Sequence, residues 1–460
     1  MFQKPAILIK RMPILPLFVT LAYAFIVWFA LSGYLLWQSI NFLLGLTALL
    51  VITEIDVTKK IHLRYGWLAM ALAAVAYILP LKTVLYFSLV FGIFFLIESY
   101  WGKLTMLPLL VVALMSPFFQ YVSDIFSFDI RLKLTDWAGL ILKLFDNKFQ
   151  VEGNIITRGE QVFAVDYVCI GLNMMATSLL IAILIIGVYQ KRIGKRLPFF
   201  GVIIYLTIVF VLAILSNLIR IICLVQFNIP PRSIFHEIAG LACLSLYVII
   251  PTIFIGTQLI RKWGSEAIPN PIPGIIINKY KLYFSHLIVL SMITISAFRV
   301  SHRDFQTRVR SAPVASVPGY NSERIDADVV KLENTSALIY LKFIPDFINP
   351  DHNPMICWKG SGYNLQEVKK DQMYGVEIYS AVLKNKKDTL FTSWWYENGA
   401  QRTISQMKWR WDVMKGAAPY SLVNVTAGSR EKLKQELERI FLKEPFHVLI
   451  ANTNCITKME

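Results

Sequence analysis

PFFGVIIYLTIVFVLAILSNLIRIICL, residues 198–224, decides the fold class. It is longer than the roughly 20 apolar residues that a membrane-spanning helix needs. Its single charged residue is Arg220. Eight further stretches read the same way: 14–33, 35–53, 66–81, 83–98, 104–122, 165–189, 235–260 and 282–299. The third and fourth are short and meet near Pro80. The first is expected to be a span and not a cleaved signal, because it lacks a small-residue cleavage site and another span follows at once. Apolar residues make up 56% of the 460-residue chain and charged residues 17%, against roughly 25% charged in a soluble protein. An aromatic share of 13% excludes disorder.

Charge sets the expected orientation. The net charge is +16, yet residues 301–460 carry 22 basic and 18 acidic side chains, so the excess lies in the apolar part. Its lysines and arginines sit in short loops. With the N-terminus inside, fifteen fall on inner loops and only Lys82 and Arg232 on short outer ones. That bias is the positive-inside pattern, and it removes the need for a nucleic-acid partner. The expected fold is an α-helical polytopic membrane protein of about nine spans, N-in and C-out, with a small C-terminal α+β soluble domain. The boundaries read as 1–299 for the membrane domain, 300–325 for a polar linker and 326–460 for an extracytoplasmic domain.

Within the outer segment 123–164, LKLTDWAGLILKLF (132–145) has the spacing of an amphipathic helix. Two extended stretches, FQVEGNII and QVFAVDY, flank the turn-rich TRGE and lead toward Cys169. In the soluble part, SALIYLKFI and TLFTSWWYENG alternate as strands. SREKLKQELERIFL (429–442) places Leu433, Leu437, Ile440 and Phe441 on one helical face.

Three reactive or charged residues fall at expected outer span ends: Cys169 in DYVCIGLNMM, Arg220 in SNLIRIICL and His236 in FHEIAG. Each has an ordinary reading alone. Cys169 suits packing, Arg220 can anchor a helix end, and His236 can sit at an interface. At one depth on neighbouring spans, they suit thiol acyl transfer. A thiolate attacks, an imidazole carries the proton, and a guanidinium donates to the oxyanion or holds the thiolate. Gly171 would admit a peptide backbone. Asn217 shares a helix face with Arg220. Glu237 and Asp166 read as solvated interfacial charges. Cys223 and Cys243 read as packing residues within spans. Cys357 and Cys455 would face an oxidising space and could pair. The six histidines are scattered, with no HxxxH or CxxC spacing, so neither a metal nor another cofactor is expected.

Cys-Ile-Gly at 169–171, Asn217-Leu-Ile-Arg220, and His236 with Gly240 resemble the exosortase/archaeosortase family. VEGNIITRGEQVFAVDYV is similar to the extended segment that leads to that family's cysteine. The resemblance covers about 100–260, the implied catalytic core, and Ile170 departs from the small residue common there. It implies a membrane cysteine protease or transpeptidase of the bacterial inner membrane. Its partners would be exported proteins bearing a C-terminal motif, helix and basic cluster, the surrounding lipid, and a lipid-linked or polysaccharide acceptor. By position, Cys169 is the nucleophile, Arg220 its thiolate or transition-state partner, and His236 the acid/base. DHNPMICWKGSGY (351–363), with His352 and Cys357, is similar to the periplasmic domain associated with exosortases. The long chain with this tail resembles the exosortase N subgroup. The competing readings are a transporter that uses Arg220 as a binding charge, or a noncatalytic component of polysaccharide export. Against transport stand the absence of an internal repeat and of buried carboxylates in the other long spans. A noncatalytic component would keep its activity in a Cys169→Ala variant.

Overall fold

The computed structural model describes residues 14–56, 63–159, 161–165, 172–230, 233–266, 279–309, 317, 319–326, 328–344, 358, 363–385 and 388–443. The chain divides into two compact units. One comprises 1–123, 171–217 and 240–307, and the other 124–170, 218–239 and 308–460.

The helices come first in the chain: α1 (Ile14–Leu31), α2 (Ile40–Ile52), α3 (Arg64–Ile78), α4 (Lys82–Tyr100) and α5 (Leu107–Met115) lead into the long α6 (Pro117–Phe145). After it come α7 (Leu172–Ile193), α8 (Phe199–Gln226), α9 (Ile234–Leu244), α10 (Ile250–Trp263) and α11 (Lys279–Val309). Most of α6, the end of α8 and the start of α9 belong to the second unit. Among the described residues, six helical stretches are long and apolar enough to cross a membrane: 14–31, 82–100, 174–193, 199–226, 234–263 and 280–302. Helices α2 and α3 are apolar but shorter. Leu17, Phe18, Leu21, Phe25 and Trp28 of α1 are exposed, as suits a helix surrounded by hydrocarbon.

Small residues let these helices approach closely. Helix α3 buries Gly66, Ala69, Ala73 and Ala76 along one stripe. The Ser88 hydroxyl of α4 donates to the Ala69 carbonyl at 2.8 Å, and the Ser296 hydroxyl of α11 donates to the Ala73 carbonyl at 2.7 Å. Such small-residue contacts with hydroxyl bonds replace the hydrophobic drive that lipid cannot supply.

Three sequence expectations change. The stretch 104–122 is no single helix. Ser116 is extended (ψ 142°) between α5 and α6, and its hydroxyl accepts from the Phe118 N–H at 3.0 Å. A serine cap followed by Pro117 is a helix-start signal within the apolar run. Second, the stretch 83–98, read as short, becomes the 19-residue α4 and buries a carboxylate near its end, Glu98, which is 1% exposed. Arg64 Nε and the Leu104 N–H donate to its two oxygens at 3.1 and 2.8 Å. The carboxylate thereby clamps α3 and α4 to the strand pair β1 (Ile55–Asp56) and β2 (Lys103–Leu104). Third, the segment expected as a linker, 300–325, contributes the end of α11 and most of a strand.

Between α9 and α10, Ser245–Ile249 forms one π-helical turn just before Pro251. Proline offers no N–H to the preceding turn, and a widened turn is one way a continuous helix absorbs that loss. A short ladder of β6 (Lys195–Arg196) and β7 (Ser265–Glu266) joins two loops.

The second unit contains two sheets. The smaller has three antiparallel strands, β3 (Phe149–Glu152), β4 (Ile155–Arg158) and β5 (Gln161–Ala164). The first of the two expected extended stretches is thus itself a hairpin, turned at Gly153 with φ +60°. The C-terminal sheet comprises β8 (Asn321–Asp326), β9 (Val329–Glu333), β10 (Ala337–Ile344), β11 (Asn364–Met373), β12 (Val376–Lys384), β13 (Thr389–Glu397), β14 (Arg402–Thr403) and β15 (Tyr420–Ala427). The order is β11-β12-β13-β15-β10-β9-β8, antiparallel throughout, with β14 paired to β13. Helices α12 (Gln406–Met414) and α13 (Arg430–Lys443) complete it. Trp395, Trp409, Tyr420 and Val423 are fully buried in its core. Leu433, Leu437, Ile440 and Phe441 of α13 are buried as their spacing requires.

Candidate active site

Arg220 lies in the penultimate turn of α8, and His236 in the first turn of α9. The chain reverses between them through Asn228, which adopts φ +49°, a conformation asparagine tolerates. Ser233 then starts α9. Its hydroxyl oxygen accepts from the His236 N–H at 3.2 Å, capping the helix and fixing the histidine's backbone. The two side chains meet: Arg220 Nη2 lies 3.3 Å from His236 Nδ1. Each residue is 5% exposed.

The chemistry of this contact follows from its donors. A guanidinium can only donate, so in this contact Nδ1 is the acceptor. The basic nitrogen of His236 is therefore the one beside the fixed cation. A bond of 3.3 Å is long for this pairing. A thiol reaching Nδ1 would pass it a proton and leave a thiolate beside two cations.

Asn217, one turn before Arg220 on α8, is 8% exposed, and Gly240, four residues after His236, is buried on α9. Glu237 is exposed. Cys223 is half-buried and Cys243 buried. Cys169 and Gly171 lie outside the described residues, as do Asp166, His352, Cys357 and Cys455.

The strands that precede Cys169 are held from two sides. Val151 of β3 packs on α6 at Gly139, where a Cβ would fall 2.0 Å from Val151 Cγ2. Asp146 follows α6. It accepts from the Lys148 N–H at 3.0 Å and forms an ion pair with Arg158 of β4 at 2.9 Å. The Lys148 N–H and then the Arg158 charge hold its carboxyl below the usual carboxylate range. At the opposite end, Asn154 is 1% exposed and its side chain accepts from the Val368 N–H of β11 at 2.9 Å. Sequence reasoning missed Asn154, although a Gly-Asn pair inside an extended run is a turn signal. It also missed Arg131 of α6, which is only 3% exposed.

A polytopic helical membrane protein with an arginine–histidine pair buried where two apolar helices meet is the class that fold and site define. The chain belongs to the transmembrane exosortase family (Exosortase_EpsH), whose model matches residues 18–253, more than half of its length. No curated protein and no solved structure matches it.

Proposed function

We propose that this chain is a membrane cysteine transpeptidase acting on C-terminal sorting signals of exported proteins, with Cys169, Arg220 and His236 as its catalytic residues. The observation that carries the reading is the buried contact of Arg220 with His236. It sets a proton acceptor and a permanent cation side by side. In the reaction, Cys169 gives its proton to His236 Nδ1, and the thiolate attacks the scissile carbonyl carbon. Arg220 steadies the thiolate and then the oxyanion. As the C–N bond breaks, Nδ1–H protonates the leaving amine and a thioester remains. An acceptor nucleophile surrenders its proton to Nδ1, attacks the thioester and frees the cysteine. Asn217 orients the guanidinium, while Gly171 and Gly240 give the substrate backbone room.

Membership of the family supports a bacterial inner-membrane location, and loop charge supports a site and C-terminal domain on the outer side. A substrate helix with a basic inner end would then be held at fixed depth, which supplies orientation. The acceptor is a lipid-linked or polysaccharide group. The C-terminal domain is read as exosortase-associated, with Cys357 and Cys455 as a disulfide pair. Mass spectrometry of an exported protein's new C-terminus tests the reading. Wild type should yield the processed form and Cys169→Ala only the full-length form. Equal processing by both would favour a noncatalytic export component and end the proposal.

A further inference from the structure

The strands leading to Cys169 are fastened to the C-terminal domain at one buried amide, and we propose that Asn154 is a positioning residue through which that domain sets the strand end that leads to the nucleophile. The inference rests on the thiol reading of Cys169.

Two irregularities meet at this point. Strand β11 ends the C-terminal sheet, and its register against β12 shifts between Gln366 and Lys369, with Glu367 at φ +53°. Such a bulge releases backbone groups from the ladder. The released Val368 N–H is the group that donates to Asn154 Oδ1. The Val368 carbonyl faces Gly153, where a Cβ would lie 2.2 Å from its oxygen. Only glycine permits both that approach and φ +60°. Beside them, Lys369 pairs with Glu152 at 3.6 Å. Thus a bulge and a glycine turn, far apart in sequence, fit each other.

Asn154 passes the contact onward. Its carbonyl accepts from the Val165 N–H at 2.8 Å, and its Nδ2 donates to the Val165 carbonyl at 3.4 Å. Val165 and Val368 are fully buried, so water cannot substitute for a lost bond. Val165 stands four residues before Cys169. One side chain therefore spends its acceptor on the C-terminal domain and its donor on the strand end that leads to the nucleophile.

The test uses the full chain in native membranes and a membrane-impermeant maleimide. Alkylation of the Cys169 peptide is quantified by mass spectrometry from pH 6 to 9. Asn154→Ala should lower the rate at pH 7 about tenfold and leave the rate at pH 9 within about twofold, because the thiolate forms less readily once the strand end at Val165 is loose. Asn154→Asp keeps the acceptor for Val368 but turns an oxygen toward the Val165 carbonyl, and should move the profile the same way. Val368→Pro, at a bulge that tolerates proline, removes the donor and leaves Asn154 intact. It too should move the profile. A wild-type profile in Asn154→Asp or Val368→Pro, while His236→Ala shifts it, overturns the proposal and leaves the thiol reading standing. A profile that His236→Ala does not move sinks the thiol reading, and this proposal with it.

Discussion

Arg220 and His236 sit in apolar runs, where a charged or titratable side chain is costly unless it has a partner. That cost made them legible from sequence before any contact was known. Their partnership could not be read there, because sixteen residues and a reversal of the chain separate them. The contact predicts unequal tolerance to substitution. Arg220→Lys keeps the charge but loses the planar fork, and processing should fall at least about tenfold. His236→Ala removes the acceptor and should fall by about a hundredfold or more, the usual contribution of a positioned base. Both are measured as the rate of substrate processing at equal protein level. Near-normal rates in both variants would remove the pair from the chemistry. Asn154 lies at the opposite extreme of legibility: an uncharged residue whose decisive partner is 214 positions away.

Hydropathy outlined the long helices because burial in lipid demands an unbroken apolar run. It is blind to breaks made by capping, so Ser116–Pro117 went unread inside one. Gly153–Asn154 was passed over in the same manner, since both flanking segments are extended. Glu98 stood at the last residue of an expected span, where a carboxylate reads as solvated. In the fold it takes bonds from Arg64 and Leu104. Glu98→Ala should therefore strand the buried Leu104 N–H and lower stability by about 2 kcal/mol. Thermal unfolding in detergent measures this, and an unchanged midpoint would mean that the clamp contributes nothing.

Across the molecule, alternation and one amphipathic stretch were enough to expect a C-terminal α+β domain. The strand order was not, because β15 pairs with both β10 and β13 from distant parts of the chain. That arrangement buries Tyr420, whose single hydroxyl proton is shared between Gln401 Oε1 at 3.1 Å and Asp412 Oδ2 at 3.2 Å. Burial, and then the Asp412 carboxylate, push its hydroxyl up to about 12. Tyr320, buried and bonded to Glu436, is raised as well. A phenol raised above its unfolded value of 10.0 adds stability that is whole below pH 10 and is lost as pH climbs to about 12. The domain should lose stability across that window. Tyr420→Phe should flatten the loss while lowering neutral-pH stability by about 1 kcal/mol. Denaturant unfolding followed by tryptophan fluorescence at several alkaline pH values measures both, and an identical slope in the variant would clear Tyr420 of the effect.

Among the described residues, strand β8 closes the C-terminal sheet at the end opposite β11. A strand with one open side invites a neighbouring copy to zip onto it, and molecules confined to a membrane plane meet often. Within its six residues β8 carries Glu323, Arg324 and Asp326, and its register breaks between Arg324 and Asp326. Charge and kink together make it a poor template for lateral stacking, so crowding need not turn these domains into fibrils.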